Sequence, residues 1–89
     1  MKELFNLKGK VILFSGGYGH LGKSSVFALK EYGAKVYVLG REIEKFNKVF
    51  ENCQNIYFQK FNLSDTNSII NAFENIFKKE KRIDTLINN

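Results

Sequence analysis

The feature that most constrains the fold of this chain is a group of glycines between an apolar run and an amphipathic segment. The apolar run covers residues 10–15, and its continuous character is typical of a central strand buried on both faces. Gly17, Gly19 and Gly22 then match the pattern G-x-G-x-x-G, which needs a strand before it and a helix after it. The sequence therefore predicts a strand, a glycine-rich turn over residues 16–22, and a helix.

The rest of the chain alternates apolar runs with helical patterns, which is typical of βαβ units and a parallel sheet. Further strands are predicted over residues 35–39, 56–61 and 83–87. The first helix is expected to stop at Gly33, and the residues on its apolar face are Leu21, Ser25, Ala28, Leu29 and Tyr32. The second helix has apolar side chains at Ile43, Phe46, Val49 and Phe50. The third is predicted to have Ser64 as its N-cap and an apolar face of Ile69, Ile70, Phe73, Ile76 and Phe77.

Right-handed crossovers would order these four strands 3-2-1-4, as in the first half of a Rossmann fold. The expected class is therefore α/β, a Rossmann-like three-layer sandwich formed by one domain over residues 1–89. The first two helices would cover one face of the sheet, and the third would cover the other face alone. Since an apolar edge strand and a half-bare sheet face invite aggregation, the chain is expected to be the truncated first half of a doubly wound fold.

The composition argues against several other classes of protein. The single cysteine, Cys53, rules out an intramolecular disulfide and fits a reducing cytoplasm. The apolar run near the N-terminus is too short for a signal peptide or a membrane span. The net charge of +5 comes mainly from lysines scattered along the chain, so neither nucleic acid nor a membrane is expected as a partner. No residue is assigned to a metal site.

The glycine-rich turn predicts a phosphate site. Its glycines permit a tight turn, a close approach of the backbone to a pyrophosphate, and close helix–strand packing. Free backbone N–H groups and the helix dipole would attract the phosphates of a dinucleotide. The same segment also matches the P-loop pattern G-x-x-x-x-G-K-[ST] through Gly17, Gly22, Lys23 and Ser24. A P-loop enzyme needs an acidic metal partner after a buried strand, and none of strands two to four ends in Asp.

The residues after the second strand predict the choice between NAD and NADP. An acid about twenty positions beyond the glycines accepts from both ribose hydroxyls and favours NAD, whereas an Arg favours the 2′-phosphate of NADP. The chain has Gly40, Arg41 and Glu42 there. Arg41 could pair bidentately with a phosphate or stack on adenine, so NADP is favoured. NAD stays open because Glu42 lies only one residue further.

These motifs resemble those of the short-chain dehydrogenase/reductase family over nearly the whole chain. Residues 15–22 look like the T-G-x-x-G-x-x-G fingerprint of the family's extended branch, with Ser15 in place of Thr. The compact branch has T-G-x-x-x-G-x-G, which would place Gly where this chain has His20. Residues 61–65 (FNLSD) resemble the D-V-(S/T)-D stretch of the compact branch, with Asn62 in place of Asp. The last residues (IDTLINN) resemble I-D-x-L-V-N-N-A-G without its final two positions.

The resemblance implies an NAD(P)-dependent oxidoreductase that transfers a hydride between the nicotinamide and a small alcohol or carbonyl substrate. It assigns the pyrophosphate to a set of loop residues, which are Gly16, Gly17, Tyr18, Gly19, His20, Leu21 and Gly22. It assigns the ribose phosphate to Arg41, the adenine to Asn62 and Leu63, and a backbone contact with the ribose to Asn89. Because features of both branches are mixed, it does not indicate the substrate class.

The family's catalytic residues are a Ser and a Tyr-x-x-x-Lys pair, and this chain contains no such pair. None of its four tyrosines is followed four positions later by Lys. The chain is therefore expected to be the cofactor-binding half of an enzyme and not to be catalytic by itself. Two alternatives stay open. One is a P-loop module that binds ATP or GTP with Mg²⁺, and the other is a short protein whose exposed strand edge meets a partner, including another copy in a homo-oligomer.

Overall fold

A computed structural model of the protein describes residues 6–89, in which strands and helices alternate in the predicted order. The strands are β1 (Val11–Ser15), β2 (Lys35–Gly40), β3 (Ile56–Lys60) and β4 (Thr85–Asn88). The helices are α1 (His20–Glu31), α2 (Ile43–Phe50) and α3 (Thr66–Glu80). The strand bounds differ from the predicted ones by one or two residues. Residues 1–5 of the predicted domain lie outside the described residues.

The four strands form one parallel sheet in the order β3-β2-β1-β4, which confirms the predicted topology. In this sheet Leu13 of β1 lies opposite Tyr37 of β2 on one side and Leu86 of β4 on the other. All five residues of β1 are buried, as a central strand covered on both faces requires. The α/β class and the Rossmann-like arrangement are therefore confirmed.

Each face of the sheet has its own hydrophobic core, so the fold is a three-layer sandwich. Neighbouring residues of a strand point to opposite faces, and accordingly Leu13 and Phe14 belong to different cores. The helices contribute Val26, Phe46 and Phe50 to the first core and Ala72 and Ile76 to the second. Because burying one such apolar side chain stabilises a fold by about 1.5–3 kcal/mol, these cores hold α1 and α2 on one face and α3 on the other.

The buried face of α1 differs from the predicted one. Leu21 is 72% exposed, whereas Gly22 and Val26 are the buried residues of this helix. The physical reason is a close backbone contact, because a Cβ at Gly22 would overlap the carbonyl oxygen of Gly16. The helix therefore turns its glycine toward the preceding turn, and the neighbouring Leu21 faces outward.

The start of α3 also differs from the prediction, which placed Ser64 at the N-cap. The N-cap is Asp65, whose carboxylate accepts hydrogen bonds from Asn67 N at 3.0 Å and from Ser68 N at 3.4 Å. Ser64 instead donates its backbone N–H to Asn62 Oδ1 at 3.0 Å. This bond holds Ser64 in the turn before the helix.

The apolar face of α3 is only partly covered, and β4 forms an exposed edge beside it. Ile76 is buried, but Ile70 and Phe77, which were predicted to share its face, are about half exposed. Within residues 6–89, α3 is the only helix in this core, so no second helix covers the side chains that do not point at the sheet. In β4, Leu86 is half exposed, in agreement with the expected lack of cover. No helix of residues 6–89 combines the length and apolar character needed to cross a membrane.

Asp84 fastens the start of β4 to β1. Its Oδ2 accepts a hydrogen bond from Val11 N at 2.8 Å, and its own N–H donates to Val11 O at 2.9 Å. Arg82 donates to the same carboxylate through Nε at 2.9 Å and Nη2 at 2.7 Å. The hydrogen bonds from Arg82 and, to a smaller extent, the one from the Val11 N–H lower the pKa of Asp84 to about 2.

We expect this carboxylate to contribute stability that is lost in acid. An Asp with a lowered pKa stabilises the fold above its unfolded pKa of about 3.9, and the contribution disappears as the pH falls toward the folded value. Asp84→Asn should therefore be less stable at neutral pH and should lack the part of the pH dependence between about 4 and 2. Urea unfolding of the complete protein across this range would measure it, with Glu44→Gln as a control that removes an exposed carboxylate from α2. Parallel profiles for Asp84→Asn and the unchanged protein would contradict this role.

Candidate functional site

The carboxyl ends of the four strands meet at one edge of the sheet, and the loops of the predicted site begin there. The chain leaves β1 at Gly16, β2 at Arg41, β3 at Phe61 and β4 at Asn89. A backbone hydrogen bond joins two of these exits, since Phe61 N donates to Gly40 O at 2.8 Å. In open α/β sheets, this is the edge at which ligands bind.

The turn after β1 brings the start of α1 into close contact with the strand. Gly16 has a φ of +75°, a conformation that residues with side chains rarely adopt. A Cβ at Gly22 would overlap Gly16 O and lie 3.0 Å from Asn89 Nδ2. A Cβ at Gly17 would lie 3.0 Å from the side chain of Val38. Gly16, Gly17 and Gly22 therefore each have a steric reason to lack a side chain.

Gly19 differs from these glycines because it faces open space. It is the N-cap of α1, with extended backbone at φ −70° and ψ 168°, and apart from its two chain neighbours no described residue lies within 4 Å of the position of a Cβ. Within residues 6–89, no side chain caps α1 and its first turn contains no acid. The N–H groups of His20, Leu21 and Gly22 therefore have no side-chain acceptor in the described part of the chain. Such a helix start is suited to bind an anion, because its unpaired N–H groups and the positive end of its dipole point outward.

Beside this turn lies a cleft of about 460 Å³ at the strand ends. It brings together five of the predicted site residues, which are Gly16, Tyr18, Arg41, Leu63 and Asn89. Its other lining residues are Ser15, Leu39, Gly40, Glu42, Lys45, Phe61 and Asn88. The loops after all four strands thus share one concave surface, which combines apolar side chains with a few polar groups, as small-molecule sites do.

Asn62 lines an adjoining cavity instead of this cleft. The two cavities share Arg41, Glu42 and Phe61. The Asn62 N–H donates to Ser68 Oγ at 2.9 Å, and its side-chain oxygen accepts the bond from Ser64 described above. Asn62 therefore shapes the turn after β3.

The remaining predicted residues line neither cavity, and these are Gly17, Gly19, His20, Leu21 and Gly22. Leu21 faces an apolar groove that also contains Phe14 and Ile87. His20 is the exposed first residue of α1. What His20, Leu21 and Gly22 offer a phosphate is their backbone N–H groups and not their side chains.

Sequence reasoning missed two cations at this site. Lys45 lines the cleft, with its Nζ 3.6 Å from the Glu42 carboxylate. Lys60 lines the adjoining cavity and stands opposite Gly40 in the pairing of β3 with β2. Lys45 follows Arg41 by four residues at the start of a helix, and this spacing could have indicated that both side chains lie at the site. No local pattern in the sequence indicates that Lys60 lies beside Gly40. Three cations and one carboxylate therefore line the two cavities.

Sequence reasoning also missed how β4 is tied to the glycine turn. Ser15 Oγ donates to Asn88 Oδ1 at 2.6 Å, and Asn89 N donates to Ser15 O at 3.2 Å. Asn89 Nδ2 donates to Gly16 O at 3.2 Å. The end of β4 therefore holds the first residues of the turn in place, and the paired asparagines of the IDTLINN motif were the signal for it.

Tyr18 turns back over the end of β2. A Cβ built on Gly40 would overlap the Tyr18 hydroxyl oxygen and lie 2.9 and 3.0 Å from two ring carbons. The hydroxyl is the one buried side-chain polar atom of residues 6–89 without a hydrogen-bond partner. Burial, and then the nearby Glu42 carboxylate, raise the pKa of Tyr18, so the hydroxyl stays protonated.

The P-loop alternative finds no support in this geometry. The N–H of Lys23 already donates to Gly19 O at 2.8 Å as the first hydrogen bond of α1. The Ser24 hydroxyl donates to His20 O at 3.2 Å within the helix, and Ser24 lines neither cavity at the strand ends. Lys23 and Ser24, the fourth and fifth residues of α1, are both exposed. In a P-loop these two residues would contact the phosphates and the metal.

Comparisons with a family model, with related sequences and with solved structures all indicate the same family. The family model described as short chain dehydrogenase matches residues 10–89. An uncharacterized oxidoreductase of Schizosaccharomyces pombe is 36% identical, over 98% of this chain and 27% of its own length. Retinol dehydrogenase 11 of Homo sapiens is 34% identical, over 93% of this chain and 28% of its own length. The crystal structure of a short chain dehydrogenase from Bacillus anthracis superposes with a TM-score of 0.84 and 31% identity, over 93% of this chain and 35% of that one. The chain thus spans less than a third of the curated relatives it matches.

Proposed function

The chain belongs to the short chain dehydrogenase family, and we propose that it holds the nicotinamide dinucleotide of an oxidoreductase, with NADP(H) preferred over NAD(H). Members of this family generally bind NAD(P). When bound, the cofactor supplies or accepts a hydride at its nicotinamide ring, and the proposed substrate is a small alcohol or carbonyl compound. The observation that supports the proposal most strongly is the uncapped start of α1 beside the cleft at the strand ends.

The pyrophosphate is assigned to the turn between β1 and α1. The N–H groups of His20, Leu21 and Gly22 would donate to its oxygens, and the open space at Gly19 would let it approach. The glycines at 16 and 22 allow the close contact between the turn and the start of α1.

The adenosine is assigned to the cleft and the adjoining cavity. Leu63 and Asn62 would frame the adenine, and the backbone of Asn89 would contact a ribose. Arg41, Lys45 and Lys60 place three positive charges around the ribose position, and a 2′-phosphate would bring the opposite charge. Glu42 is the one carboxylate there, and its proximity to Lys45 offsets its repulsion of a phosphate.

Proton transfer is assigned to residues other than these 89. The chain has no Tyr-x-x-x-Lys pair, and His20 is exposed at the start of α1 with no carboxylate partner among the described residues to orient it. Its residues would therefore bind and orient the cofactor without acting as acid or base on the substrate. We also propose a cytoplasmic location, because the one cysteine, Cys53, is free and fits a reducing compartment.

The test is cofactor binding by the complete protein, measured by calorimetry with NADPH and NADH. We expect Arg41→Ala to lower the affinity for NADPH by about tenfold to a hundredfold, because a charge-assisted bidentate contact with the 2′-phosphate is lost. The affinity for NADH should change little. Lys48→Ala is the matched control, since it removes one exposed cation from α2 outside both cavities. Equal losses for both cofactors would contradict the role of Arg41, and failure to bind either would contradict the proposed function.

A further inference from the structure

The end of β2, where a ribose is expected to bind, lies against the side chain of Tyr18. In dinucleotide-binding folds, an acid near this point accepts hydrogen bonds from the ribose hydroxyls and favours NAD. The last residue of β2 here is Gly40, which offers no side chain. Gly40 lines the cleft together with Tyr18, which lies next to it in space, and Arg41, which follows it in the sequence.

The space over Gly40 is filled by Tyr18. A Cβ at Gly40 would overlap the Tyr18 hydroxyl oxygen, and two ring carbons would lie within 3.0 Å of it. A contact below about 3.0 Å between a Cβ and a ring requires one of the two to move. Since the crowded position is already at the Cβ, a longer carboxylate side chain on residue 40 would meet the same obstacle.

We propose that Tyr18 is a specificity-determining residue, which excludes an acidic side chain at position 40 and thereby leaves ribose recognition to Arg41 and the neighbouring lysines. This inference rests on the proposed function. It assigns the preference between NADP(H) and NAD(H) to a contact between the glycine turn and β2, in addition to the charge of Arg41.

The effect of Tyr18 is steric and does not depend on a hydrogen bond to the ligand. Its hydroxyl is buried and has no partner among the described residues, so packing alone holds the ring over Gly40. The nearby Glu42 and the burial itself both favour the neutral phenol, which adds no charge to the cleft. Removing the hydroxyl alone should relieve the closest overlap but leave the ring carbons at 2.9 and 3.0 Å, whereas removing the ring should open the site.

The experiment compares three variants of the complete protein, which are Gly40→Asp, Tyr18→Phe with Gly40→Asp, and Tyr18→Ser with Gly40→Asp. Calorimetry would give the dissociation constants for NADH and NADPH. The unfolding temperature without ligand would measure the steric clash between the side chains at positions 18 and 40. We expect Gly40→Asp alone to unfold at a lower temperature and to gain no affinity for NADH. Tyr18→Ser with Gly40→Asp should recover thermal stability and bind NADH about tenfold more tightly than Gly40→Asp alone, because the new carboxylate can then reach the ribose. Tyr18→Phe with Gly40→Asp should lie between these two in thermal stability and in affinity for NADH, because the ring carbons remain close to position 40 after the hydroxyl is gone.

A gain in NADH affinity by Gly40→Asp with Tyr18 still present would overturn the inference. Equal thermal stability of Gly40→Asp and its combination with Tyr18→Ser would also overturn it, since the two side chains would then not collide. If Gly40→Asp fails to fold and the combined variant folds, the steric conflict is supported directly. If the unmodified protein binds neither dinucleotide, the proposed function itself is contradicted. This outcome is distinguishable from a failure of the inference about Tyr18, because it is measured on the unmodified protein before any variants are compared.

Discussion

Gly19→Asp should abolish most dinucleotide binding while leaving the fold as stable as before or more so. Position 19 has the extended backbone of an N-cap and open space for a side chain. An Asp there would accept from the N–H groups of Leu21 and Gly22, as Asp65 does from the corresponding positions of α3. Those are the N–H groups assigned to the pyrophosphate. Repulsion between the carboxylate and the phosphates at about 4 Å adds several kcal/mol, so we expect affinity to fall about a hundredfold or more.

Calorimetry with NADPH and urea unfolding should be performed on the same samples of the complete protein. The free energy of unfolding is expected to rise by up to about 1 kcal/mol, because the new cap and its charge suit the N-terminus of a helix. Gly19→Asn is the matched control, since it offers a cap without the charge and should lose much less affinity. If Gly19→Asp binds NADPH as tightly as the unchanged protein, the pyrophosphate does not lie at the start of α1.

Gly22→Ala should have the opposite effect on stability, which we expect to fall strongly. The added Cβ would overlap the carbonyl oxygen of Gly16 and crowd Asn89 Nδ2, and the first of these is backbone that a rotamer change cannot move. Overpacking of this kind costs about 1–3 kcal/mol or more. Because α1 must shift away from the turn to relieve it, cofactor affinity should fall as well.

Urea unfolding of the complete protein measures this effect, and Gly19→Ala provides the comparison with the same chemical change. At position 19 the Cβ enters open space, so the cost should stay below about 1 kcal/mol and reflect only that Ala is a weaker N-cap than Gly. Similar stabilities for the two alanine variants would mean that the contact between Gly22 and Gly16 does not constrain the fold.

The topology and the place of the site could be predicted from the sequence because they depend on local patterns. The apolar run of β1, the glycines that follow it and the alternation of strands with helices are readable within short windows. The orientation of α1 was not readable in this way. The periodicity of apolar residues predicts that Leu21 is buried and says nothing of Gly22. In the folded chain, the close approach of Gly22 to Gly16 decides which face of α1 packs toward the sheet. The N-cap of α3 was missed for a similar reason, because Ser64 and Asp65 are both good caps and the bond from Ser64 to Asn62 selects between them.

The parts of the site that sequence reasoning did not find depend on contacts between distant segments. Lys60 reaches the site through the register of β3 with β2, and exposed lysines elsewhere in the chain have the same local appearance. Tyr18 was included as one residue of the loop, but its position over Gly40 follows only from the three-dimensional path of the turn. Specific binding is therefore harder to predict than the fold, since it depends on pairs of residues that no local period relates.

The bonds that join β4 to β1 and to the glycine turn have a consequence for how this region forms during synthesis. Val11 with Asp84, Ser15 with Asn88 and Gly16 with Asn89 are each separated by 73 positions. Contacts of such long sequence separation form slowly, because the intervening chain must first lose entropy. As a nascent polypeptide leaves the ribosome, the glycine segment emerges long before the strand that completes its surroundings. We therefore expect the proposed cofactor to bind only after β4 has formed, and a bound dinucleotide would favour the state in which β4 has joined the sheet.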